Sequence, residues 1–149
     1  MHKKYMEIAL KEAQKAFLQD EVPVGAVIVD ADGNIIAKAY NKTEYGFDPT
    51  AHAEINAIRK ACKKLKTKRL WNCCMYVTLE PCTMCAAAIS FARIEKLFIG
   101  AYDEKGGAVA NGVRFFESSA CHFKPQTEFD ILGEESSQLL KKFFQNKRS

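Results

Sequence analysis

Cys74–Cys85, the stretch CMYVTLEPCTMC, joins a strand pattern to a helix start. Apolar, β-branched and aromatic residues fill positions 74–79, which predicts a buried strand. Glu80 and Pro81 follow, and proline is favoured where a helix begins because its missing N–H would be unpaired there. The stretch therefore predicts a strand that leads directly into a helix running from Cys82 to about Ala92.

Two cysteines stand three residues apart at the start of this predicted helix. Residues with that spacing share one helix face, so the sulfurs of Cys82 and Cys85 can converge on one metal ion. A lone C-x-x-C also occurs in structural zinc sites and in redox pairs. The motif alone therefore does not decide between catalysis, structure and redox chemistry.

The segment His52-Ala53-Glu54 adds a possible third metal ligand and a carboxylate to the two cysteines. One imidazole and two thiolates are zinc ligands, and three of them leave one tetrahedral position open for water, whereas a closed structural site has a fourth protein ligand. Glu54 lies two residues from the histidine, where a carboxylate can transfer protons between water and a substrate. The spacing H-x-E…P-C-x-x-C is the signature of zinc deaminases. The pattern predicts a hydrolytic zinc site with His52, Cys82 and Cys85 as ligands and Glu54 as the catalytic residue.

Both halves of the motif open a predicted helix. Thr50 is placed to cap a helix that carries Ile55, Ile58, Cys62 and Leu65 on one side, so that His52 and Glu54 fall in its first turn. The positive ends of two helices stabilise thiolates. A zinc ion with two thiolate ligands would then remain electrophilic.

Helical and strand-like segments alternate along the rest of the chain. Polar and glycine-rich loops separate them, with a hairpin turn signal at Asp32-Gly33. Strands separated by helices predict a three-layer α/β/α sandwich around a five-stranded mixed sheet, mostly parallel, with helices on both faces. The remaining predicted elements are a helix over Lys3–Gln19, strands over Val24–Val29, Asn34–Tyr40, Lys96–Gly100 and Glu128–Leu132, and a helix from Glu134 to about Lys147.

Composition limits the class of protein. A chain of 149 residues, 48% hydrophobic and 27% charged, is typical of one globular domain over residues 1–149. Charged residues interrupt the N-terminal segment, which excludes a signal peptide and a membrane span and predicts a cytoplasmic protein. Cysteines outside the motif are interpreted as small buried apolar residues of a reducing compartment, namely Cys62, Cys73, Cys74 and Cys121. The net charge of +4 does not establish nucleic-acid binding, and the basic run Arg59–Arg69 is typical of a solvated face.

Several segments resemble the bacterial tRNA-specific adenosine deaminases of the cytidine deaminase-like superfamily, over nearly the whole chain. They are the run EVPVGAV at 21–27, Asn41, the run DPTAHAE at 48–54 and the run YVTLEPCTMC at 76–85. The resemblance implies a cytidine deaminase-like fold, one Zn²⁺ per subunit and a homodimer. It also implies hydrolysis of the wobble adenosine of a tRNA anticodon stem-loop to inosine and ammonia, with Glu54 protonating ring N1 and the departing amine.

The same resemblance implies substrate contacts outside the zinc site. Asn41 would hydrogen-bond the flipped adenosine, and Asp103 would lie near the ribose 2′-hydroxyl, although an acid in a loop is the alternative for Asp103. Lys105 would contact phosphate. At the C-terminus Phe144 would stack on a base and Arg148 would contact phosphate, with core packing as the alternative for Phe143 and Phe144.

Two other classes of function stay open from the residues. A deaminase of guanine or of a free nucleoside could have the same fold and zinc site, because neither fixes the substrate. Asn41, the lead-in Thr78-Leu79-Glu80 and the Phe-Phe-x-x-x-Arg ending favour RNA. A non-enzymatic zinc module that binds RNA through basic faces is the other class. Glu54 beside an open metal position argues against that class.

Overall fold

The computed structural model describes residues 1–148, except the side chain of Arg148. Within these residues the chain forms five strands and four α-helices. These are α1 (His2–Leu18), β1 (Gly25–Val29), β2 (Ile35–Tyr40), α2 (Ala53–Leu65), β3 (Cys74–Leu79), α3 (Thr83–Ala92), β4 (Lys96–Ala101), β5 (Gln126–Glu128) and α4 (Gly133–Arg148), with a short 3₁₀ helix over Phe115–Glu117.

The strands form one mixed sheet in the order β2-β1-β3-β4-β5. β1 pairs antiparallel with both β2 and β3, whereas β3 with β4 and β4 with β5 pair in parallel. The prediction of a mixed five-stranded sheet is confirmed. Strands β2, β3, β4 and β5 run in the same direction, and β1 alone runs against them, so two of the four pairings are antiparallel. The predicted hairpin, whose tight turn contains Gly33 at φ +85°, accounts for the antiparallel pairing of β1 with β2.

Alternating side chains give the sheet two buried faces. Ala26 and Ile28 point into a core shared with α2 and α3, while Val27 and Val29 point into a second core with α1. Tyr76 and Phe98 stack on the α1 side with ring centroids 4.6 Å apart. Helix α4 packs on the same side as α1, where the rings of Phe17 and Phe143 meet edge to face. The three-layer α/β/α sandwich follows, with all five residues of β1 buried.

Most predicted element boundaries agree with the structure within one or two residues. The fifth strand is an exception, because it lies at Gln126–Glu128 rather than over Glu128–Leu132. Asp130 and Leu132 have φ values of +64° and +55°, which are incompatible with an extended strand. The apolar residues Ile131 and Leu132 pack against the α1 core from a non-extended segment. They are apolar because of this packing, and the sequence pattern alone does not distinguish it from a buried strand.

The start of α2 also differs from the prediction. Thr50 does not cap the helix, because its hydroxyl and its N–H both donate to Asp48 Oδ1. The N-cap residue is His52, and α3 begins in the same way, with Cys82 rather than Pro81 next to the first helical residue. Two of the three predicted zinc ligands, His52 and Cys82, are therefore the N-cap residues of the two helices.

Among the described residues, no helix combines the length and the apolar character needed to cross a membrane.

Candidate metal and catalytic site

The site lies at the end of the sheet where β2, β3 and β4 finish and β1 begins. Gly25 at the start of β1 pairs with Tyr40 at the end of β2, and Leu79 at the end of β3 pairs with Ala101 at the end of β4. β1 runs antiparallel to β3, so its first residues lie beside the last residues of β3. The segments that enter or leave these strands therefore meet here. They carry Val22, Asn41, Glu80 and Asp103, and the N-termini of α2 and α3 point to the same place.

Three ligand atoms converge between the two helix N-termini. His52 Nδ1 lies 3.5 Å from the sulfur of Cys82 and 3.5 Å from the sulfur of Cys85. All three ligand atoms lie within 4.8 Å of one another. A tetrahedral zinc ion with Zn–S of about 2.3 Å and Zn–N of about 2.0–2.1 Å separates sulfur from nitrogen by about 3.5 Å. The donor set and its spacing both fit zinc.

The local backbone explains how the ligands reach these positions. His52 and Cys82 have extended backbones, with ψ of 156° and 176°, and their carbonyls accept the first helical hydrogen bonds, from Asn56 and Ala86. Cys85 lies one turn into α3 and is buried. The extended N-cap conformation turns Cys82 back over the helix start, so its sulfur meets that of Cys85.

Titration of these groups reflects their mutual contacts. The hydrogen bond from Cys85, assisted by His52 and by the backbone N–H of Cys85, lowers the pKa of Cys82 to about 4. The same hydrogen bond between the two sulfurs, together with burial, raises the pKa of Cys85, and the hydrogen bond with Cys82 raises the pKa of His52. Cys82 is therefore the thiol that loses its proton first. A cation placed between the two sulfurs would favour the thiolate form of both.

Glu54 lies beside this cluster in the first turn of α2 and is only 4% exposed. Burial raises the pKa of its carboxyl group to about 7, and the negative charge of Cys82 adds to the increase. A carboxyl group with this pKa exchanges protons readily near neutral pH. Glu54 can thus serve as both proton acceptor and proton donor.

A cavity of about 340 Å³ opens in front of Glu54, His52 and Cys82. Apolar side chains form part of its wall, and a few polar groups point into it, as in small-molecule sites in general. Its size suits one nucleobase rather than a base-paired duplex. The lining residues are Val22, Val24, Asn41, Thr43, His52, Ala53, Glu54, Leu79, Glu80, Cys82, Asp103 and Gly106.

Asn41 and Asp103, two of the predicted substrate contacts, line this cavity. The amide Nδ2 of Asn41 donates to the carbonyl of Val22, while its Oδ1 is buried without a hydrogen-bond partner within the described structure. Such a buried acceptor is available for a hydrogen bond from a ligand or an ordered water. The Oδ1 of Asp103 accepts the N–H groups of Lys105 and Gly106, so this carboxylate also shapes its loop, as its alternative interpretation predicts.

Lys105 and Phe144, two further predicted contacts, do not line this cavity. Lys105 is exposed in the turn after Asp103. On α4, Phe143 is buried against Phe17, which confirms core packing for that residue, while Phe144 is 45% exposed and lines a second cavity. The side chain of Arg148 lies outside the described residues.

Two buried carboxylates near the cavity are not singled out by the sequence pattern. Glu80 is 3% exposed and accepts five hydrogen bonds, from the N–H groups of Asp103, Val109, Ala110 and Asn111 and from the Asn111 side chain. Gly107 packs on it so closely that a Cβ there would lie 2.4 Å from Glu80 Cδ. Glu21 holds the opposite loop by accepting from Thr43, Glu44 and Tyr45. An acid at the end of a buried strand is the signal that identifies Glu80.

The remaining cysteines only partly match the prediction that they are buried, whereas the basic run is mostly exposed, as predicted. All six cysteines are free, and Cys73 is buried while Cys62, Cys74 and Cys121 are half-buried. From Arg59 to Lys68 the cationic residues are exposed along α2 and the turn after it, with Arg69 half-buried. Lys60 donates to a backbone carbonyl of β2, so part of this run covers the outer strand.

Known proteins resemble this chain over almost its whole length. Residues 1–101 match the family model described as the cytidine and deoxycytidylate deaminase zinc-binding region. A tRNA-specific adenosine deaminase of Agrobacterium fabrum is 54% identical over 144 residues, which cover 97% of this chain and 94% of the relative. A tRNA-specific adenosine deaminase of Bacillus subtilis is 42% identical, covering 97% and 89%.

Solved structures extend the comparison. One from studies of A-to-I editing by tRNA:A34 deaminases at the wobble position of transfer RNA superimposes with a TM-score of 0.89 at 54% identity, covering 91% of this chain and 98% of that one. A guanine deaminase from Bacillus subtilis superimposes less closely, with a TM-score of 0.66 at 35% identity, covering 99% and 94%. The chain belongs to the tRNA-specific adenosine deaminases, within the cytidine and deoxycytidylate deaminase family of zinc enzymes.

Proposed function

We propose that the protein hydrolyses the wobble adenosine of a tRNA anticodon to inosine, releasing ammonia. The observation that carries the reaction class is the buried Glu54 carboxyl group beside three convergent zinc ligands at the base of a nucleobase-sized cavity. The substrate class is supported by the tRNA-specific relatives and by the positions of Asn41 and Asp103 in the cavity wall. The reaction consumes one water and exchanges the 6-amino group for oxygen.

His52, Cys82 and Cys85 would hold one zinc ion per subunit. Zinc in such a site supplies Lewis acidity, which lowers the pKa of water and makes a nucleophile available at neutral pH. The dithiolate set would weaken this effect, and the N-termini of α2 and α3 offset it with their positive dipole ends.

Glu54 would carry the protons. Its carboxylate accepts a proton from the attacking water and delivers it to ring N1, which makes C6 more electrophilic. A second proton passes through the same side chain to the departing amino group, which leaves as ammonia. The pKa of about 7 suits both directions of transfer.

Asn41 and Asp103 would orient the nucleoside. The unpaired Oδ1 of Asn41 accepts a hydrogen bond from a substrate N–H or O–H group, because an acceptor buried there without a partner costs about 1–3 kcal/mol. The carboxylate of Asp103 lies at the cavity wall, where the ribose 2′-hydroxyl would distinguish RNA from DNA. Lys105 and Arg148 would contact phosphate, and Phe144 would stack on a base.

The substrate is tested by incubating the purified protein with an anticodon stem-loop carrying the target adenosine, with the matching DNA hairpin, and with guanine, adenosine and cytidine. We expect inosine in the RNA alone, detected by mass spectrometry of the digested product. Turnover of guanine without any inosine in the RNA would instead support the activity of the 35% identical guanine deaminase.

The proton carrier is tested by Glu54→Ala. We expect this variant to bind one zinc ion per chain and to keep its fold, while deamination falls by at least about 100-fold because general acid–base catalysis is lost. Metal analysis, circular dichroism and inosine formation measure the three properties. Glu135→Ala, which removes an exposed glutamate on α4, is the matched control. Unchanged turnover in Glu54→Ala would remove this residue from the mechanism.

We further propose that residues 1–149 act as a single deaminase domain, that two copies form a homodimer, and that the enzyme works in the cytoplasm, where tRNA is found. The resemblance to the family is the support for all three. Sedimentation analysis measures the oligomeric state, and limited proteolysis tests whether the chain is one resistant unit. A monomer at micromolar concentration would contradict the homodimer.

A further inference from the structure

A second cavity, of about 910 Å³, adjoins the one in front of Glu54. Val22 and Thr43 line both cavities, so the two are neighbours. The second cavity lies between the loop that follows β2 and the C-terminal helix α4. A polymer whose target base enters the first cavity therefore has its neighbouring nucleotides close to the second.

Three exposed aromatic rings surround this second cavity. Tyr45 is 74% exposed, Phe47 is 94% exposed and Phe144 is 45% exposed. Single exposed apolar side chains are common on protein surfaces and need no explanation. Three rings around one groove form a patch of the kind that marks a binding surface. We call Tyr45, Phe47 and Phe144 the aromatic rim.

The loop that carries two of these rings is held in place even though the rings are in solvent. Glu21, 1% exposed, accepts the N–H groups of Glu44 and Tyr45 at 3.1 and 2.6 Å and lies 3.4 Å from the Thr43 hydroxyl. Gly46 donates its N–H to the carbonyl of Lys42. A buried carboxylate is thus used to order a loop whose most prominent side chains do not pack in the core.

The backbone at Phe47 carries strain as well. Its φ of +51° lies in the left-handed region, which is unfavourable by about 1–2 kcal/mol for a residue with a bulky side chain. Strain at an exposed aromatic residue brings no gain in core packing. A function outside the core, such as presenting the ring to a ligand, accounts for it.

The chemistry of the surface favours bases over phosphates. Lys147 at the groove is already paired with Asp20, and Glu44 adds a negative charge, so the local positive charge is small. Stacking of a base on an aromatic ring contributes about 1–3 kcal/mol and needs no positive charge. The ligand that fits both this surface and its connection to the first cavity is single-stranded nucleic acid with unstacked bases.

We propose, building on the function above, that the nucleotides flanking the target adenosine stack on Tyr45 and Phe47, with Phe144 on the opposite side. This assigns to the loop after β2 a role in holding the nucleotides next to the target base. Stacking on an aromatic ring is tolerant of sequence, so the rim contributes affinity for either kind of base.

The test compares Tyr45→Ala, Phe47→Ala and the double variant with the wild type on the anticodon stem-loop. We expect the KM for deamination, and the Kd for RNA from fluorescence anisotropy, to rise about 5- to 100-fold, while kcat and zinc content change little. Tyr45→Phe keeps a stacking ring and should restore most of the affinity. Trp71→Ala is the matched control, because Trp71 is 57% exposed at the opposite end of β3 from Cys82.

A second arm replaces one flanking nucleotide at a time by an abasic residue. If the removed base is the one that stacks on the rim, the wild type and the rim variant should bind this abasic RNA equally well. The stacking contact is then missing in both complexes. If the variants bind and deaminate the intact stem-loop as the wild type does, the proposed role of the rim is wrong. Absence of RNA deamination by the wild type would instead reject the function proposed above, so the two failures are distinct.

Discussion

Glu80 is the residue whose contacts tie the zinc side of the cavity to the loop that carries Asp103. Its Oε1 accepts two hydrogen bonds and its Oε2 accepts three, all at donor–acceptor distances of 2.8–3.0 Å. Burial by itself would raise the pKa of this carboxyl group, but the hydrogen bonds from Asp103, Asn111 and Val109 outweigh it and lower the pKa below 4.5. The charged form of Glu80 therefore stabilises the folded loop.

We predict that Glu80→Gln lowers the free energy of unfolding by about 3 kcal/mol at pH 7, because an amide group offers a donor where N–H groups need an acceptor. A carboxyl group with a lowered pKa contributes its stability above its ordinary pKa, and the contribution is lost as the pH falls through the folded value. The difference between variant and wild type should thus shrink below about pH 4.5.

Urea denaturation at pH 7 and at pH 4 measures this effect. Glu104→Gln makes the same chemical change at an exposed position of the same loop and should alter stability by less than about 0.5 kcal/mol. A variant of Glu80 with wild-type stability at pH 7 would contradict the role given to its hydrogen bonds. The KM for RNA should rise in Glu80→Gln, since Asp103 loses its anchor.

At the scale of elements, the packing of α1 on β1 depends on a glycine at the contact. A Cβ at Gly25 would lie 2.0 Å from the backbone oxygen of Ala9 and 2.6 Å from the backbone nitrogen of Ala13. Real carbon atoms do not approach this closely, and both neighbours belong to a helix that cannot yield locally. The helix and the strand would have to separate.

We predict that Gly25→Ala destabilises the protein by about 3 kcal/mol or more, because overpacking of a core contact has no room to relax. Gly33→Ala is the comparison, since Gly33 lies in the exposed β1–β2 turn and its substitution costs about 1 kcal/mol for the positive φ alone. Thermal unfolding measures both. Equal melting temperatures for the two variants would show that α1 and β1 are not in rigid contact.

Element prediction from the sequence succeeded where periodicity reflects burial and failed where a local hydrogen bond decides. The strand over Cys74–Leu79 was predicted at its exact bounds, because its apolar run faces two cores. Threonine is a common N-cap residue, yet the hydroxyl of Thr50 donates a hydrogen bond to the side chain of Asp48 and does not cap the helix. No pattern of residue types reveals which of two neighbouring polar groups takes a given hydrogen bond.

At the scale of the whole molecule, the proposed zinc ligands lie at two helices on the same side of the sheet, so metal binding would link separate parts of the chain. A ligand that binds only the folded state stabilises it, by about 2.7 kcal/mol at a concentration 100 times its Kd. The cores on both faces of the sheet consist of apolar side chains that include none of the three proposed metal ligands. The metal-free protein should therefore stay folded but melt at a lower temperature.

We predict that a chelator lowers the melting temperature by several degrees and that added Zn²⁺ restores it, as measured by differential scanning calorimetry. His52→Ala should melt at the same temperature with and without zinc, because one of the three ligands is missing. Glu54→Ala should keep the full zinc-dependent shift. Complete unfolding of the wild type on chelation would instead mean that the cores are too weak to hold the sheet without metal.

The sequence by itself determined the chemistry of this protein. Zinc accepts few ligand types, and helices place residues at fixed spacings, so His52, Glu54, Cys82 and Cys85 identify a hydrolytic zinc site before any coordinates are known. Only the tertiary structure decided how Glu21 and Glu80 hold the cavity walls, why Asn41 has an unpaired acceptor, and where Tyr45 and Phe47 form a rim. These features depend on contacts between residues far apart in the chain, and such contacts are fixed by packing rather than by local pattern.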